Sequence, residues 1–469
     1  WHRATAFRIW LSALVSTAVA ILLLSGSLVP TLIAFWVVTV AALLGDSVLV
    51  SLGLESRENL CDRFVIAFPI GIAALGTLTF TLALVGLFNS VIVWDVFLAL
   101  TLVVLWRPGH RFRNLAPRRE TLFSLVPEAP FLILVMGLAA VRNLTWSVVP
   151  EVEFDALNMR LSVPKIFLTE GRFVDLPDIW HSYFVHLLEY VHGFSMALHS
   201  EAAAKLVVAV IGIVAAVTVY SLGRLVFAPA VGLWAAALFY TTPLVSWGTG
   251  TAYNDNAVAE FVTASLVAFV LWYRSQNSGW IIASGLLAGG AVAIKLNAAY
   301  AVIPLGIALV TLVVSSRRMP AGRGFRTVAV FVIVAFVVAV PWYLVVYILT
   351  GNPIFPLMNG VFKSPFTELN NRLMNAADFG IGTSFTALMR LPFRITLDTI
   401  RFGEGLPRGG LGPLLLIFIP LGFLKLRENR EARVVAFVVC GYFLLWAYTF
   451  QYGRYYTALI PGMAILAVG

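Results

Sequence analysis

The stretch VVPEVEFDALNMRLSVPKIFLTEGRF, residues 148–173, concentrates charged side chains within a very apolar chain. Three carboxylates, Glu151, Glu153 and Asp155, follow one another at intervals of two residues. Carboxylates this close repel one another, and an apolar setting makes them harder to ionise. Since a carboxylate of that kind suits proton abstraction near neutral pH, the stretch contains a candidate general base.

Asp155 has two interpretations. Pro150 ends the apolar segment before it, because proline fixes its own φ and restricts the residue that precedes it. The sequence after Asp155 predicts a short amphipathic helix with Leu157, Leu161 and Leu168 on one side. Asp155 would then be an N-cap that accepts free backbone N–H groups. The alternative is a general base or a charged anchor, with Glu153 as a possible further site residue.

Three more polar positions interrupt apolar sequence. Asp255 lies in the polar run of TGTAYNDNAVAEF and is either a helix cap or a site residue. Lys295 in GLLAGGAVAIKLNAAYAVIPL is costly in apolar surroundings. Its side chain either reaches the membrane interface or points toward a phosphate. Arg454 in QYGRYYTALIPG has the same two interpretations, interface anchor or phosphate ligand.

His181 and His186 are possible site residues on weaker grounds. Their spacing of five does not put both on one helical face, whereas His186 and Glu189, three apart, can be neighbours. Cys61 and Cys440 show no metal-ligand spacing. No cofactor is therefore predicted; a divalent metal is possible but not indicated.

The composition predicts the kind of secondary structure that must position these residues. The chain has 469 residues, of which 60% are hydrophobic and 12% are charged, against roughly 25% charged in soluble domains. Apolar runs of about 20 residues, each long enough to cross a bilayer, recur along the chain. The predicted fold class is an all-α polytopic membrane protein with about 13–14 transmembrane helices and amphipathic helices in two large outer loops.

Basic loops predict the orientation. The expected spans are centred near residues 17, 40, 75, 97, 138, 213, 236, 264, 287, 306, 338, 418, 441 and 462. Arginine-rich segments 107–119, 317–326 and 425–433 are expected in the cytoplasm, and even numbers of spans separate them. The net charge of +9 is thus attributed to topology, and no nucleic-acid partner is predicted.

The same count places the candidate residues on the outer side. The outer segments are 149–203, 245–255, 295–298, 350–410 and 450–455. Residues 1–107 are predicted to be an N-terminal four-helix membrane extension, and residues 128–469 the membrane core with outer loops 149–203 and 350–410. The first apolar run is expected to be a membrane span and not a signal peptide.

Four sequence stretches, in chain order, resemble those of bacterial membrane glycosyltransferases of the C superfamily. This superfamily includes protein O-mannosyltransferase-like and aminoarabinose-transferase-like enzymes. The four stretches are FDALNMRLSVPKIFLTEGRFVDLP, AYNDNAVAEF, GLLAGGAVAIKLNAA and PWYLVVYILTGNPIFP. A later family motif is partly kept in GRYYTALIPG. The resemblance covers roughly residues 128–469. It implies a substrate site at the level of the membrane.

The resemblance implies sugar transfer from a polyprenyl-phosphate donor at the outer face, with inversion, in the bacterial inner (cytoplasmic) membrane. Asp155 takes the catalytic carboxylate role; Lys295 and Arg454 become donor-phosphate ligands, and Asp255 a second polar site residue. The family's Tyr-His is Met159-Arg160 here, and Arg160 becomes a phosphate-binding candidate.

Two other functions stay open at this point. A relative that has lost activity and serves as an accessory subunit of a membrane complex would explain the change at Met159-Arg160. A lipid or solute transporter would need charged residues at mid-membrane, often in paired repeats. The sequence specifies neither the sugar, nor the acceptor, nor any protein partner.

Overall fold

The computed structural model describes residues 2–54, 59–106, 126, 128–315, 320–365, 379–403, 410–422, 426 and 429–469. Its helices, in chain order, are α1 His2–Leu24, α2 Leu28–Ser51, α3 Leu60–Leu84, α4 Ser90–Trp106, α5 Ala129–Val148, α6 Ser162–Glu170, α7 Leu187–Leu198, α8 Glu201–Val226, α9 Pro229–Thr241, α10 Pro243–Thr249, α11 Asp255–Ser275, α12 Ser278–Ile294, α13 Ala299–Ser315, α14 Ala321–Thr350, α15 Asn359–Phe362, α16 Phe385–Leu397, α17 Pro413–Gly422, α18 Arg430–Tyr448 and α19 Ile460–Val468. Short π-helical and 3₁₀ segments join several of them.

Each of the fourteen predicted span centres lies within one of these helices. Among the described residues, nine helices are long and apolar enough to cross a bilayer, or ten if the bent pair α9 and α10 is one span. α4 and α12 are apolar but shorter, at 17 residues each. The prediction of an all-α polytopic membrane protein is confirmed.

The helices form two compact units. Unit 1 comprises the described residues of Trp1–Val174, Leu188–Thr241 and Val245–Tyr253. In it, α2 packs along α3, α8 along α9, and both α2 and α3 contact α8. Helices α2 and α3 of the predicted N-terminal extension therefore pack with α8.

Close approach of α2 and α3 depends on small residues. A Cβ added at Gly45 would overlap the carbonyl oxygen of Ala67, and one added at Gly71 would overlap that of Ala41. Each helix thus presents an Ala-x-x-x-Gly pair to its antiparallel partner, the small-residue spacing typical of tightly packed membrane helices.

Ion pairs join the helix ends at one side of unit 1. Arg63, at the start of α3, binds Asp46 of α2 and donates to the carbonyl oxygen of Leu54 at 2.6 Å. Arg224, near the end of α8, donates to both carboxylate oxygens of Asp62 at 2.5 Å. These are ends that the predicted topology places together on the cytoplasmic side.

Unit 2 comprises the described residues of Asp175–Leu187, Thr242–Leu244 and Asn254–Gly469. α12 packs between α11 and α14, and α13 packs against α18. At one end, Arg274 of α11 binds Glu431 of α18 at 2.5 Å, and Arg323 of α14 donates to the carbonyl oxygen of Gln276 at 3.2 Å.

The basic segments themselves are only partly described. Residues 107–119 lie outside the described residues, as do parts of 317–326 and 425–433. Their cytoplasmic placement stays a prediction.

Candidate functional site

The opening stretch of the first loop, which is predicted to lie outside, exposes its apolar side chains. Val152 and Phe154 are 70% and 66% exposed, whereas the alternating carboxylates Glu151, Glu153 and Asp155 are only partly exposed. An aqueous surface favours the opposite arrangement. This arrangement suits a segment that lies at the edge of a bilayer.

Glu151 is the structural anchor of this loop. One carboxylate oxygen accepts from the backbone N–H groups of Val152 and Glu153, at 3.0 and 3.1 Å. The other accepts from the N–H of Ala252 at 3.0 Å and lies 3.6 Å from the ammonium of Lys205. The side chain therefore joins the loop to the segment before α11 and to α8.

Lys205 completes the anchor from the start of α8. Its buried ammonium donates to the carbonyl oxygens of Trp146 and Val149, at 3.1 and 2.8 Å. These carbonyls end α5, where backbone acceptors lack helical partners. Glu153 accepts from the indole N–H of Trp247 at 3.3 Å, so this carboxylate also contacts another segment of unit 1.

Asp155 is not a side-chain N-cap. It has helical dihedral angles, φ −65° and ψ −33°, and its side chain makes no capping hydrogen bond. A π-helical turn, Ala156–Arg160, follows it, with the N–H of Leu161 donating to the carbonyl oxygen of Ala156 at 2.9 Å. The capping interpretation is therefore wrong, and the general-base interpretation stays a prediction.

The π turn also changes which of the following side chains are buried. Leu157 is half exposed and Leu161 is buried, although residues four apart share a face of a regular α-helix. The prediction that Leu157 and Leu161 lie on one side of a short amphipathic helix is wrong, because the single π turn inserts one extra residue and shifts the side chains that follow around the helix axis. Such turns are frequent at functional sites.

Arg160 is buried and forms an ion pair with Glu189 of α7. Its backbone carbonyl oxygen accepts from Nδ1 of His192 at 3.0 Å. Since a carbonyl cannot donate, Nδ1 carries the hydrogen. The guanidinium thus has a structural partner, and phosphate binding by Arg160 stays a prediction.

His192 was not among the residues selected from the sequence. It is fully buried, and burial lowers the pKa of its imidazole, with the neighbouring Glu189 carboxylate acting in the opposite direction. The spacing of three between Glu189 and His192 in LLEYVHGF would have indicated a shared helical face.

The two selected histidines belong to unit 2. His186 is buried, and its Nε2 lies 3.0 Å from the carbonyl oxygen of Ser182. The ring of His181 lies against Trp180, with centroids 3.8 Å apart. Within the described ranges, no group of three or more His, Cys, Asp or Glu side chains could hold a metal ion.

Lys295 lies at the junction of α12 and α13, as predicted. Its ammonium donates to Asp255 at 2.6 Å and lies 4.5 Å from the ring centroid of Tyr455. Both ionic side chains are mostly buried. Asp255 starts α11 and Tyr455 belongs to the 3₁₀ segment Gly453–Leu459. Segments that are distant in the sequence therefore hold the Lys295 ammonium.

Arg454 lies next to Tyr455 in the same 3₁₀ segment and is 8% exposed. It donates to the hydroxyl oxygen of Tyr452 at 3.1 Å and stacks on that ring. The hydroxyl of Tyr442 donates to the carbonyl oxygen of Tyr455 at 2.5 Å, which fixes the segment to α18. Arg454 is therefore too buried for a simple interface anchor.

The structure brings the candidates together in two sets. Glu151, Glu153, Asp155 and Arg160 share the first loop of unit 1. In unit 2, Lys295 contacts both Asp255 and Tyr455, and Arg454 precedes Tyr455 in the chain. The first set is rich in carboxylates, and the second supplies two cations.

Comparison with known proteins supports the resemblance seen in the sequence. Residues 186–342, about a third of the chain, match the model of the family described as dolichyl-phosphate-mannose-protein mannosyltransferase. Comparison with curated proteins gives no match. The matched segment includes α11, Asp255 and Lys295.

Comparison with solved structures gives matches over about 72% of this chain. ArnT from Cupriavidus metallidurans bound to undecaprenyl phosphate is 18% identical with a TM-score of 0.50, over 72% of this chain and 59% of that one. The archaeal oligosaccharyltransferase AglB from Archaeoglobus fulgidus, in complex with an inhibitory peptide and a dolichol-phosphate, is 15% identical with a TM-score of 0.43, over 72% and 50%. The chain thus spans about three fifths of the ArnT chain, and at these identities the ArnT likeness shows a shared fold.

Proposed function

We propose that this protein is a membrane glycosyltransferase that moves a sugar from a polyprenyl-phosphate donor to an acceptor at the outer face of the bacterial inner membrane. The observation that carries the proposal is the match of residues 186–342 to the mannosyltransferase family model. The ArnT fold, solved with undecaprenyl phosphate, supports a lipid-phosphate carrier.

Asp155 is proposed as the general base. Its carboxylate takes the proton of the acceptor, whose freed electron pair attacks the anomeric carbon on the face opposite the phosphate. The bond from that carbon to the phosphate oxygen breaks, and the polyprenyl phosphate leaves with the electron pair, so the anomeric centre inverts. The resemblance of FDALNMRL to the family's first-loop motif supports this role.

Lys295 and Arg454 are proposed to bind the donor phosphate. A leaving phosphate gains negative charge, and fixed cations in a water-poor setting offset it. Asp255 and the ring of Tyr455 hold the Lys295 ammonium in place, which gives Asp255 a positioning role. The buried, ring-stacked Arg454 is a second fixed cation.

The test is transfer from polyprenyl-phosphate-linked hexoses and pentoses by the purified full chain in lipid vesicles. Asp155→Asn should lower kcat by about 10²- to 10⁴-fold, the usual contribution of a positioned base. Asp178→Asn, the same change at an exposed aspartate of this loop, should leave kcat unchanged. Full activity of Asp155→Asn would remove that residue from catalysis.

A second candidate function is an accessory subunit without transfer activity. Arg160 replaces the family's histidine and is bound to Glu189 inside unit 1, which favours a structural use of that position. No transfer by the wild-type chain from any donor, together with intact binding of polyprenyl phosphate, would favour this alternative.

A further inference from the structure

Helix α16 in the second outer loop carries apolar side chains on two faces. One face, with Ala387, Leu391 and Ile395, is buried against the rest of unit 2. The other is exposed, at 76%, 60%, 55% and 77% for Phe385, Met389, Phe393 and Leu397. These four residues recur every fourth position, so they form one continuous stripe along the helix.

Positive charge borders this stripe. At 100° per residue, Arg390 and Arg394 follow one another along the same edge of the stripe. Both are exposed, as is Arg401 just beyond the helix. Asp398 is the only acidic residue between 379 and 403, and it lies 3.3 Å from Arg394. The surface beside the stripe is therefore net cationic.

The neighbouring helices relate α16 to the bilayer. α14, a candidate span, ends at Thr350, and the chain next enters apolar helix α17 at Pro413. α16 lies between them in the chain and packs against α17. A stripe of Phe, Met and Leu with arginines along one edge is the pattern of a helix that lies in a membrane interface.

We propose that α16 lies in the outer interface of the bilayer, with its exposed stripe among the acyl chains and Arg390 and Arg394 bound to anionic lipid headgroups. The stripe supplies apolar contact and the arginines supply preference for anionic lipid. A lipid surface is favoured over a protein partner because this charge pattern complements anionic headgroups beside a membrane entry. The inference does not depend on the transfer reaction.

The test uses the full chain in lipid vesicles, with Cys61→Ala and Cys440→Ala, so that a fluorophore can be attached at a single introduced cysteine. Met389→Cys reports the stripe, and Phe336→Cys, exposed midway along α14, reports the bilayer centre. A nitroxide near the lipid headgroup should quench the label at position 389 more than one deep in the acyl chain. The order should reverse at position 336.

Lipid charge gives the second readout. Vesicles with phosphatidylglycerol should shift the emission at position 389 to shorter wavelength than purely zwitterionic vesicles do. Arg390→Gln with Arg394→Gln should remove that difference, since two interfacial arginines favour anionic lipid by roughly 30-fold. Thr169→Cys, an exposed position in the first loop, provides the comparison without these arginines.

Two outcomes would overturn the inference. Efficient quenching at position 389 by aqueous iodide, with none by lipid nitroxides, would show that the stripe faces water. Protection from both quenchers would show that protein covers it.

Discussion

At the residue scale, three closely spaced carboxylates of the first loop have different environments. Glu151 is fixed by three backbone N–H groups and Lys205. Glu153 accepts from an indole, and Asp155 starts a π turn without capping it. Asp155 stays the proposed base and Glu153 a possible further site residue, while the contacts of Glu151 hold this part of the loop in place.

Breaking the Glu151–Lys205 pair should destabilise the fold strongly. Lys205→Met leaves a buried carboxylate and two backbone carbonyls without their cation, and removal of one partner of a buried pair costs about 3–5 kcal/mol. Lys165→Met, at a pair with Glu201 whose side chains are 61% and 43% exposed, should cost at most about 1 kcal/mol. Thermal unfolding in detergent compares the two; equal losses would contradict the anchor role.

His192 should make stability depend on pH. Burial lowers the pKa of the folded imidazole, so below about pH 6.5 the unfolded chain binds a proton that the folded chain does not. Stability should be complete above that pH and fall as the pH drops, by at most about 1.4 kcal/mol per pH unit.

His192→Asn keeps an N–H donor for the carbonyl of Arg160 and should remove this component of the pH dependence. Unfolding free energies between pH 5 and 7.5 provide the measurement. The same slope in His192→Asn and wild type would argue against a buried neutral imidazole.

At the element scale, helix contacts depend on features that hydrophobicity alone does not show. The facing Ala-x-x-x-Gly pairs of α2 and α3 let their backbones meet, a spacing visible in the sequence once the two helices are known to pack. The π turn after Asp155 is different, because nothing in FDALNMRL predicts an inserted residue.

Gly45→Ala or Gly71→Ala should separate α2 from α3. The added methyl meets a backbone carbonyl, which cannot rotate away as a side chain can, so a loss of about 1–3 kcal/mol is expected. Gly322→Ala in α14, where an added Cβ meets nothing within 4 Å, should be neutral or stabilise by up to about 1 kcal/mol. Unfolding temperatures that fall equally in all three variants would contradict close packing.

At the scale of the whole molecule, polar contacts follow the predicted topology within each unit. In unit 2, Arg274 binds Glu431, and Arg323 binds the carbonyl oxygen of Gln276, at helix ends expected to be cytoplasmic. The contacts of Lys295, Asp255 and Tyr455 occur at ends expected to be outside. Each set joins residues that an even number of spans separates.

Cysteine labelling checks this orientation. In a chain carrying Cys61→Ala and Cys440→Ala, Thr169→Cys should react with a membrane-impermeant maleimide in intact cells. Ser275→Cys, an exposed position at the end of α11, should react only after permeabilisation, since the bilayer excludes the reagent. Reversed reactivity of the two positions would invert the assigned orientation.

The sequence by itself determined the membrane class, the positions of all fourteen predicted helix centres and a short set of polar candidates. Hydrophobicity along a span is a local property, so it can be read without knowledge of neighbours. Lys295 was selected for the same reason: a charge in apolar sequence is costly wherever it lies.

Only the tertiary structure decided what each candidate contacts. Ala252, which donates to Glu151, is 101 residues away, Asp255 is 40 residues from Lys295, and His192 is 32 from Arg160. Such pairs depend on which helices pack together and at what register, and one π turn is enough to redirect the side chains that follow. The energy of a buried charge depends on its partner, and the partner is chosen by packing across the whole unit.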